Sequence, residues 1–316
     1  MKTFIFIPDT NRKAGLGHLH RCYKYSNFIS KNHKVIFLIS KNFNKKFLKK
    51  KNNYIFFSSL KNTLKKMSVK YKNIVVFLDT YNKKIQNLHY KKFSRKSIAV
   101  LDFKSKNKFS CVIDHTFGRK PSFHFKNGEG SSFHVGHENF PVYKKLKFQK
   151  RNIVLINFGS TKNKKLIQKS LIFLKNLNLD KSYKIVVINE FISKKNLSSI
   201  KLKNKIIQYQ YFKNLEKIYK KTFFSIGACG ISLYEKCFFN IPSVSKCVAI
   251  NQFYNFKNFY SKGCILSFDR IIEMNMKKSI NRDKFFKEIR KVEFTTKKYF
   301  IFKKNYAKIK KIFKNF

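Results

Sequence analysis

Short runs of Val, Ile, Leu and Phe recur along this 316-residue chain, and Lys-rich stretches with helical periodicity separate them almost from end to end. This alternation constrains the fold more than any other feature. Strands that are apolar at nearly every position are covered on both faces, and strands that alternate with helices build a doubly wound parallel sheet. In the first half, strands are expected at 3–7, 34–40, 54–57, 73–79, 97–102 and 111–114. The rhythm breaks over 117–150, where Gly118, Gly128, Gly130 and Gly136 with Pro121 and Pro141 read as loop. A second series is expected at 152–158, 184–189, 205–211, 223–226, 243–248 and 265–268, with helices at 164–177, 215–221, 232–239 and 253–261. The tail 295–316 reads as an amphipathic Lys/Phe/Ile helix. The expected organisation is a Rossmann-like domain over 1–145, a second over 146–294, and a final helix over 295–316 that packs back on the first domain.

Charge adds less than its size implies. The chain carries 71 Lys plus Arg against 15 Asp plus Glu, a net charge of +56. Such a balance ordinarily points to nucleic acid or an anionic membrane. Here the lysines are spread over the whole chain, alongside abundant Asn, Ile and Phe, and Trp is absent. AT-rich codons produce that pattern, so no specific nucleic-acid partner is read from it. The field still attracts anions, nucleotide sugars included. Cys22, Cys111, Cys229, Cys237, Cys247 and Cys264 lack the paired spacing of a zinc or redox site. They fit a reducing cytoplasm without disulfides, and the eight His form no ligand cluster. Residues 1–8 are apolar but too short for a signal-peptide core, and no stretch has the length to span a bilayer.

Two strand-to-helix turns carry the candidate chemistry. The first is Lys13-Ala14-Gly15-Leu16-Gly17-His18-Leu19-His20-Arg21-Cys22, after the strand at 3–7. His18 falls in the first turn of the helix that follows. The positive end of the helix dipole disfavours an imidazolium there and leaves a ring able to accept a proton. Arg21, three residues on, shares its face and suits a phosphate or a carboxylate; His20 points elsewhere. The plain alternative is a His18 that packs or caps the turn. The second turn lies within GACGISLYEKCFFNIPSVSKCVAINQ, residues 227–252. A strand that empties through glycines into a helix start lets bare backbone and unpaired N–H groups approach a phosphate. Glu235, one turn further in, suits ribose hydroxyls. Strand–Gly–helix turns also occur in most α/β proteins with no nucleotide, and the glycines alone do not decide.

Three segments together, GLGHLHRC at 15–22, FLDTYN at 77–82 and the 227–252 stretch, resemble the UDP-sugar hydrolases of pseudaminic acid biosynthesis and their relatives in surface polysaccharide pathways. Those share the GT-B fold with the N-acetylglucosaminyltransferase that makes lipid II. The resemblance runs in order and spacing over nearly the whole chain. It implies two Rossmann-like doubly wound domains facing across a cleft, no cofactor, no metal, and a UDP-sugar substrate; a monomer is expected. It also implies His18 as catalytic base with Tyr81 beside it. Gly15, Gly17, Arg21, Asp79, Asn251 and Gln252 would meet the substrate, and Gly227, Ala228, Gly230, Ile231, Ser232 and Glu235 the nucleotide. Asp79 and Tyr81 have plainer readings, as a strand-end cap and a half-buried ring. The match is imperfect: Gly159-Ser160-Thr161 stands where the family has two glycines and an Asp, and Ile231-Ser232-Leu233-Tyr234 departs from Ser-Thr-x-Trp.

The resemblance implies hydrolysis. Water activated by His18 attacks the anomeric carbon of a UDP-linked diacetamido trideoxy sugar, and UDP leaves. The alternative on the same fold is a UDP-sugar-dependent glycosyltransferase, because fold does not fix the acceptor. A non-catalytic anion or nucleic-acid binder is the third class, and it requires neither His18 nor Glu235.

Overall fold

The computed structural model describes residues 1–10, 16–103, 109–124, 132–142, 147, 149–159, 163–189, 191–193, 197, 200–212, 214–274, 280–314 and 316. The chain divides into two compact units, Met1–Tyr143 with Lys303–Phe316, and Lys144–Phe302.

The first unit is built on strands β1 (Thr3–Pro8), β2 (Lys34–Ser40), β3 (Asn53–Phe57), β4 (Ile74–Asp79), β5 (Lys96–Val100), β6 (Cys111–Asp114) and β7 (Ser132–Val135). They pair in the order β3-β2-β1-β4-β5-β6-β7, every pair parallel. Side chains alternate across a strand, so Phe4 and Phe6 serve one face and Ile5 and Ile7 the other. The first pair packs with Leu19, Cys22, Tyr25 and Ile29 of the helix Gly17–Ile29, and with Ile309, Ile312 and Phe313 of the helix Phe302–Lys314. The second pair packs with Leu60, Leu64 and Met67 of the helix Leu60–Lys70. Both faces are covered, which is why β1 is apolar throughout.

The second unit repeats the plan. Its strands are β8 (Ile153–Asn157), β9 (Lys184–Ile188), β10 (Ile206–Tyr209), β11 (Thr222–Ala228), β12 (Ser243–Lys246) and β13 (Leu266–Ser267). They run β10-β9-β8-β11-β12-β13, again all parallel. Ile167, Leu171 and Leu174 of the helix Lys164–Asn176 and Phe285 and Ile289 of the helix Arg282–Tyr299 pack into one core with Val154, Ile156, Phe224 and Ile226.

Two elements depart from the sequence expectation. β7 lies inside the stretch read as loop; it is a short edge strand among glycines, where a period-2 signal has too few residues to register. The tail is also two helices, Arg282–Tyr299 and Phe302–Lys314, rather than one over 295–316. The buried stripe Phe285, Ile289, Val292 and Thr296 has helical spacing, and the Asn281 side chain caps its start by accepting from the Lys284 N–H at 2.8 Å.

Both sheets place their reversal of strand order at the middle, between β1 and β4 in the first unit and between β8 and β11 in the second. In sheets of this kind chain segments leave in opposite directions at the reversal, and the carboxyl ends of the strands there are where ligands bind. The second candidate turn and, from Leu16 on, the described part of the first sit at these points.

Candidate functional site

In the first unit, Asp79 closes β4 and is fully buried beside the helix Gly17–Ile29. His18 and Arg21 are each 3% exposed and converge on it. Arg21 grips the carboxylate with two hydrogen bonds, Nε to Oδ2 at 2.7 Å and Nη2 to Oδ1 at 2.5 Å. The His18 Nδ1 stands 2.6 Å from Oδ1. Burial alone would raise the Asp79 carboxyl, but the charges and hydrogen bonds of Arg21 and His18 hold it well below the usual carboxylate range. It is an anion at any working pH.

The remaining contacts fix the tautomers. An anionic carboxylate only accepts, so His18 Nδ1 carries the proton and donates it to Asp79. The Arg21 Nη2 at 3.3 Å from the same Nδ1 is then a packing neighbour. The lone pair of His18 is left on Nε2. On the far side, Arg21 Nη1 lies 3.1 Å from His115 Nε2. A guanidinium only donates, so His115 accepts through Nε2 and is neutral. Burial, followed by the Arg21 charge, pushes His115 down to about 3.

Around this core lies a shell of strand-end residues. The ring of Tyr81 meets that of His18 edge-on at 4.6 Å, and the Tyr81 hydroxyl donates to Asp102 Oδ2 at 2.6 Å. Asp9, just past β1, accepts from the Thr80 hydroxyl at 2.9 Å and the Tyr81 N–H at 3.0 Å. Asp114, closing β6, accepts from His124 Nε2 at 2.9 Å and from Arg119 at 3.2 Å. The shell orients Tyr81 against His18 and leaves the imidazole little freedom to turn.

The structure thus brings together His18, Arg21, Asp79 and Tyr81. Gly17 opens their helix, and Gly15 lies outside the described residues. Of the two roles open to Arg21, the geometry shows the carboxylate. Asp79 likewise holds side chains of the protein itself. Sequence reasoning missed Asp9, Asp102, Asp114 and His115. Each ends or follows an apolar run, the same signal that singled out Asp79.

In the second unit, β11 runs through Gly227 and Ala228 into the helix Ile231–Phe238, with Gly230 at its start. The N–H groups of Ile231 and Ser232 have no earlier carbonyl in the helix to meet. Gly227 has a structural reason to be glycine. It sits opposite Asn157 of β8, and a Cβ there would stand 2.1 Å from the Asn157 carbonyl oxygen. Gly230 faces more open space, where a Cβ would find only the Gln252 Nε2, at 3.5 Å. Gln252 therefore lies beside the turn, and its Oε1 accepts from the Val248 N–H at 3.2 Å. Asn251 is exposed in the same short helical turn, Ile250–Gln252. Glu235 is 7% exposed. Burial and the Glu235 charge raise the phenol of Tyr219, so that carboxylate lies toward the interior.

Among the described residues, no group of three or more His, Cys, Asp or Glu is arranged to hold a metal ion, and no helix is long and apolar enough to cross a membrane. All six cysteines are free thiols.

By sequence, the chain matches no family model and no curated protein. Solved structures do match. MurG of Acinetobacter baumannii superposes with a TM-score of 0.64 at 13% identity, over 99% of this chain and 100% of that one. UGT89C1 of Arabidopsis thaliana, complexed with UDP, gives 0.66 at 9% identity over 99% and 98%. UGT2 of Phytolacca americana, complexed with UDP-2fluoro-glucose and pterostilbene, gives 0.65 at 10% identity over 95% and 93%. These likenesses, together with the two doubly wound parallel sheets, establish the fold as GT-B.

Proposed function

We propose that the chain cleaves the glycosyl–phosphate bond of a nucleotide sugar and hands the glycosyl group to a hydroxyl acceptor. The observation that carries this reading is the His18–Asp79–Arg21 constellation at the β1/β4 reversal. With Nδ1–H committed to Asp79, His18 offers Nε2 as a base of fixed orientation. The acceptor oxygen attacks the anomeric carbon as its proton passes to Nε2. The bond from that carbon to the phosphate oxygen breaks, and the electron pair leaves on the nucleotide diphosphate. Arg21 neutralises Asp79, so the carboxylate serves mainly to hold the ring and tautomer. Tyr81 buttresses the ring and carries no proton.

The nucleotide falls to the second unit. The N–H groups of Ile231 and Ser232 suit a phosphate, Gly230 leaves room for it to approach, and Gln252 offers an amide at the same turn. Glu235 is assigned to the ribose by its place in the motif, one helical turn past Gly230. The company of sugar transferases that share this fold favours an acceptor molecule over water.

Hydrolysis is the second reading, favoured by the three motif segments and their likeness to UDP-sugar hydrolases acting on diacetamido trideoxy sugars. Water then replaces the acceptor and His18 keeps its role. Incubation with a panel of UDP-sugars, with free UDP measured with and without candidate acceptors, separates the two. Acceptor-dependent release supports transfer, and equal release without acceptor supports hydrolysis. No release from any UDP-sugar, with no binding of UDP, would refute both.

A further inference from the structure

The sixth residue of the helix Ile231–Phe238 is a lysine that the sequence reading passed over. Lys236 is 1% exposed, and its Nζ makes no hydrogen bond. Lysine is almost never fully buried without a partner. Its ammonium carries three donors, and an uncompensated charge in the interior is strongly unfavourable. The Nζ is also specifically placed. It lies 3.6 Å from the position a Cβ on Gly227 would take, at the carboxyl end of β11.

Among the described residues, none donates or accepts a hydrogen bond at the Lys236 Nζ. The groups whose charge Lys236 feels are Cys237, Cys229 and Glu235. Burial raises both thiols, Cys229 to about 12 and Cys237 well above its ordinary value, so neither is a thiolate at neutral pH. Glu235 lies against Tyr219. Burial pushes Lys236 itself down to about 8, which still leaves it mostly protonated at neutral pH. A buried ammonium whose three donors are all unmet therefore stands in the second turn of a helix whose own N-terminal dipole is positive. Both positive features belong to the same strand-to-helix segment, Gly227 to Lys236, and an anion bound there would meet both.

We propose that Lys236 binds a phosphate of the nucleotide diphosphate held at Gly227–Ser232, an assignment that rests on the nucleotide-binding reading above. The lysine acts from inside the fold, with its charge already free of water.

Calorimetry and thermal unfolding with UDP, inorganic pyrophosphate and uridine test this on the full chain. Lys236→Met removes the charge and keeps the apolar stem. Without ligand the variant should melt at a higher temperature than wild type, because an unpaired buried charge is gone. Its affinity for UDP and pyrophosphate should fall about 10- to 100-fold, the worth of one charge-assisted hydrogen bond. Uridine, which has no phosphate, should bind both proteins equally. Should Lys236→Met not fold, Lys236→Gln carries the same comparison. Unchanged UDP affinity in the variant overturns this inference and leaves the nucleotide reading standing. Equal loss of uridine and UDP overturns it as well, since the whole site has then collapsed. A wild-type protein that binds neither UDP nor pyrophosphate overturns the nucleotide reading and the role of Lys236 together.

Discussion

Asp79 makes more of the first unit's site than any other residue. It receives two hydrogen bonds from Arg21 and one from His18, and it is wholly out of water. Asp79→Asn replaces an anion by an amide whose NH2 must face the donors of Arg21. Arg21 then becomes a buried cation without a partner, and the expected cost is about 3–5 kcal/mol, the usual penalty for breaking a buried pair on one side. Chemical denaturation should show that loss in full; a loss below about 1 kcal/mol, the worth of an exposed pair, would mean the trio is solvated in solution. His115 gives a second test, through pH. An ordinary His titrates near 6.5, whereas His115 stays neutral down to about 3. Between those values the unfolded chain binds a proton that the folded chain refuses, so stability falls as pH is lowered through that window. Denaturation midpoints measured from neutral to acid pH should decline in the wild type and decline less in His115→Leu. An identical slope in the two proteins would place His115 in contact with solvent.

Elements of this chain were readable where burial covers both faces of a strand. β1, β2, β4 and β6 announce themselves as unbroken apolar runs, and the two glycine turns mark where strands hand over to helices. β7 was not readable, because four residues at a sheet edge carry no period. The helix Arg282–Tyr299 did carry its signal, an Asn cap and an apolar stripe, but most of its positions are charged and a local reading sees only polarity. Lys236 was invisible for a different reason: a lysine on an amphipathic helix reads as solvated, and only tertiary packing shows that this helix is enclosed on nearly every side. The two glycines of the second turn separate structure from binding. Gly227→Ala drives a Cβ into the Asn157 carbonyl of the neighbouring strand. The sheet must shift to admit it, at a cost on the order of 1–3 kcal/mol. Gly230→Ala meets only the Gln252 amide, at ordinary contact distance. It should leave the melting temperature nearly unchanged and weaken UDP binding, as read by thermal unfolding and calorimetry on both variants. Full UDP affinity in Gly230→Ala would move the nucleotide away from this turn.

Across the whole molecule, the scarce residues are more telling than the abundant ones. Seventy-one basic residues spread over the chain locate nothing, whereas acidic residues number only 15. In the first unit these are Asp9, Asp79, Asp102, Asp114, Glu129 and Glu138, and the four aspartates all stand at the carboxyl ends of β1, β4, β5 and β6. The fold gathers them at one edge of the sheet, where they orient His18, Tyr81, His124 and the arginines. The doubly wound plan is legible in the sequence, and the two turns and His18 stand out in it as candidates. The sequence did not yield the pairing of His18 and Arg21 on one carboxylate, because residues 18 and 79 are brought together only by the parallel register of β1 and β4. Under the proposed function, this pairing makes His18 the base of a glycosyl-cleaving reaction. The most direct measurement is the rate of UDP release by wild type and His18→Asn from whichever UDP-sugar the wild type turns over, with UDP affinity measured in parallel. The amide of His18→Asn can still donate to Asp79, so the fold and the UDP affinity should survive. Turnover should fall by about 10²- to 10⁴-fold, the contribution of a positioned general base. UDP release at the wild-type rate from a folded His18→Asn protein would mean that His18 is not the base.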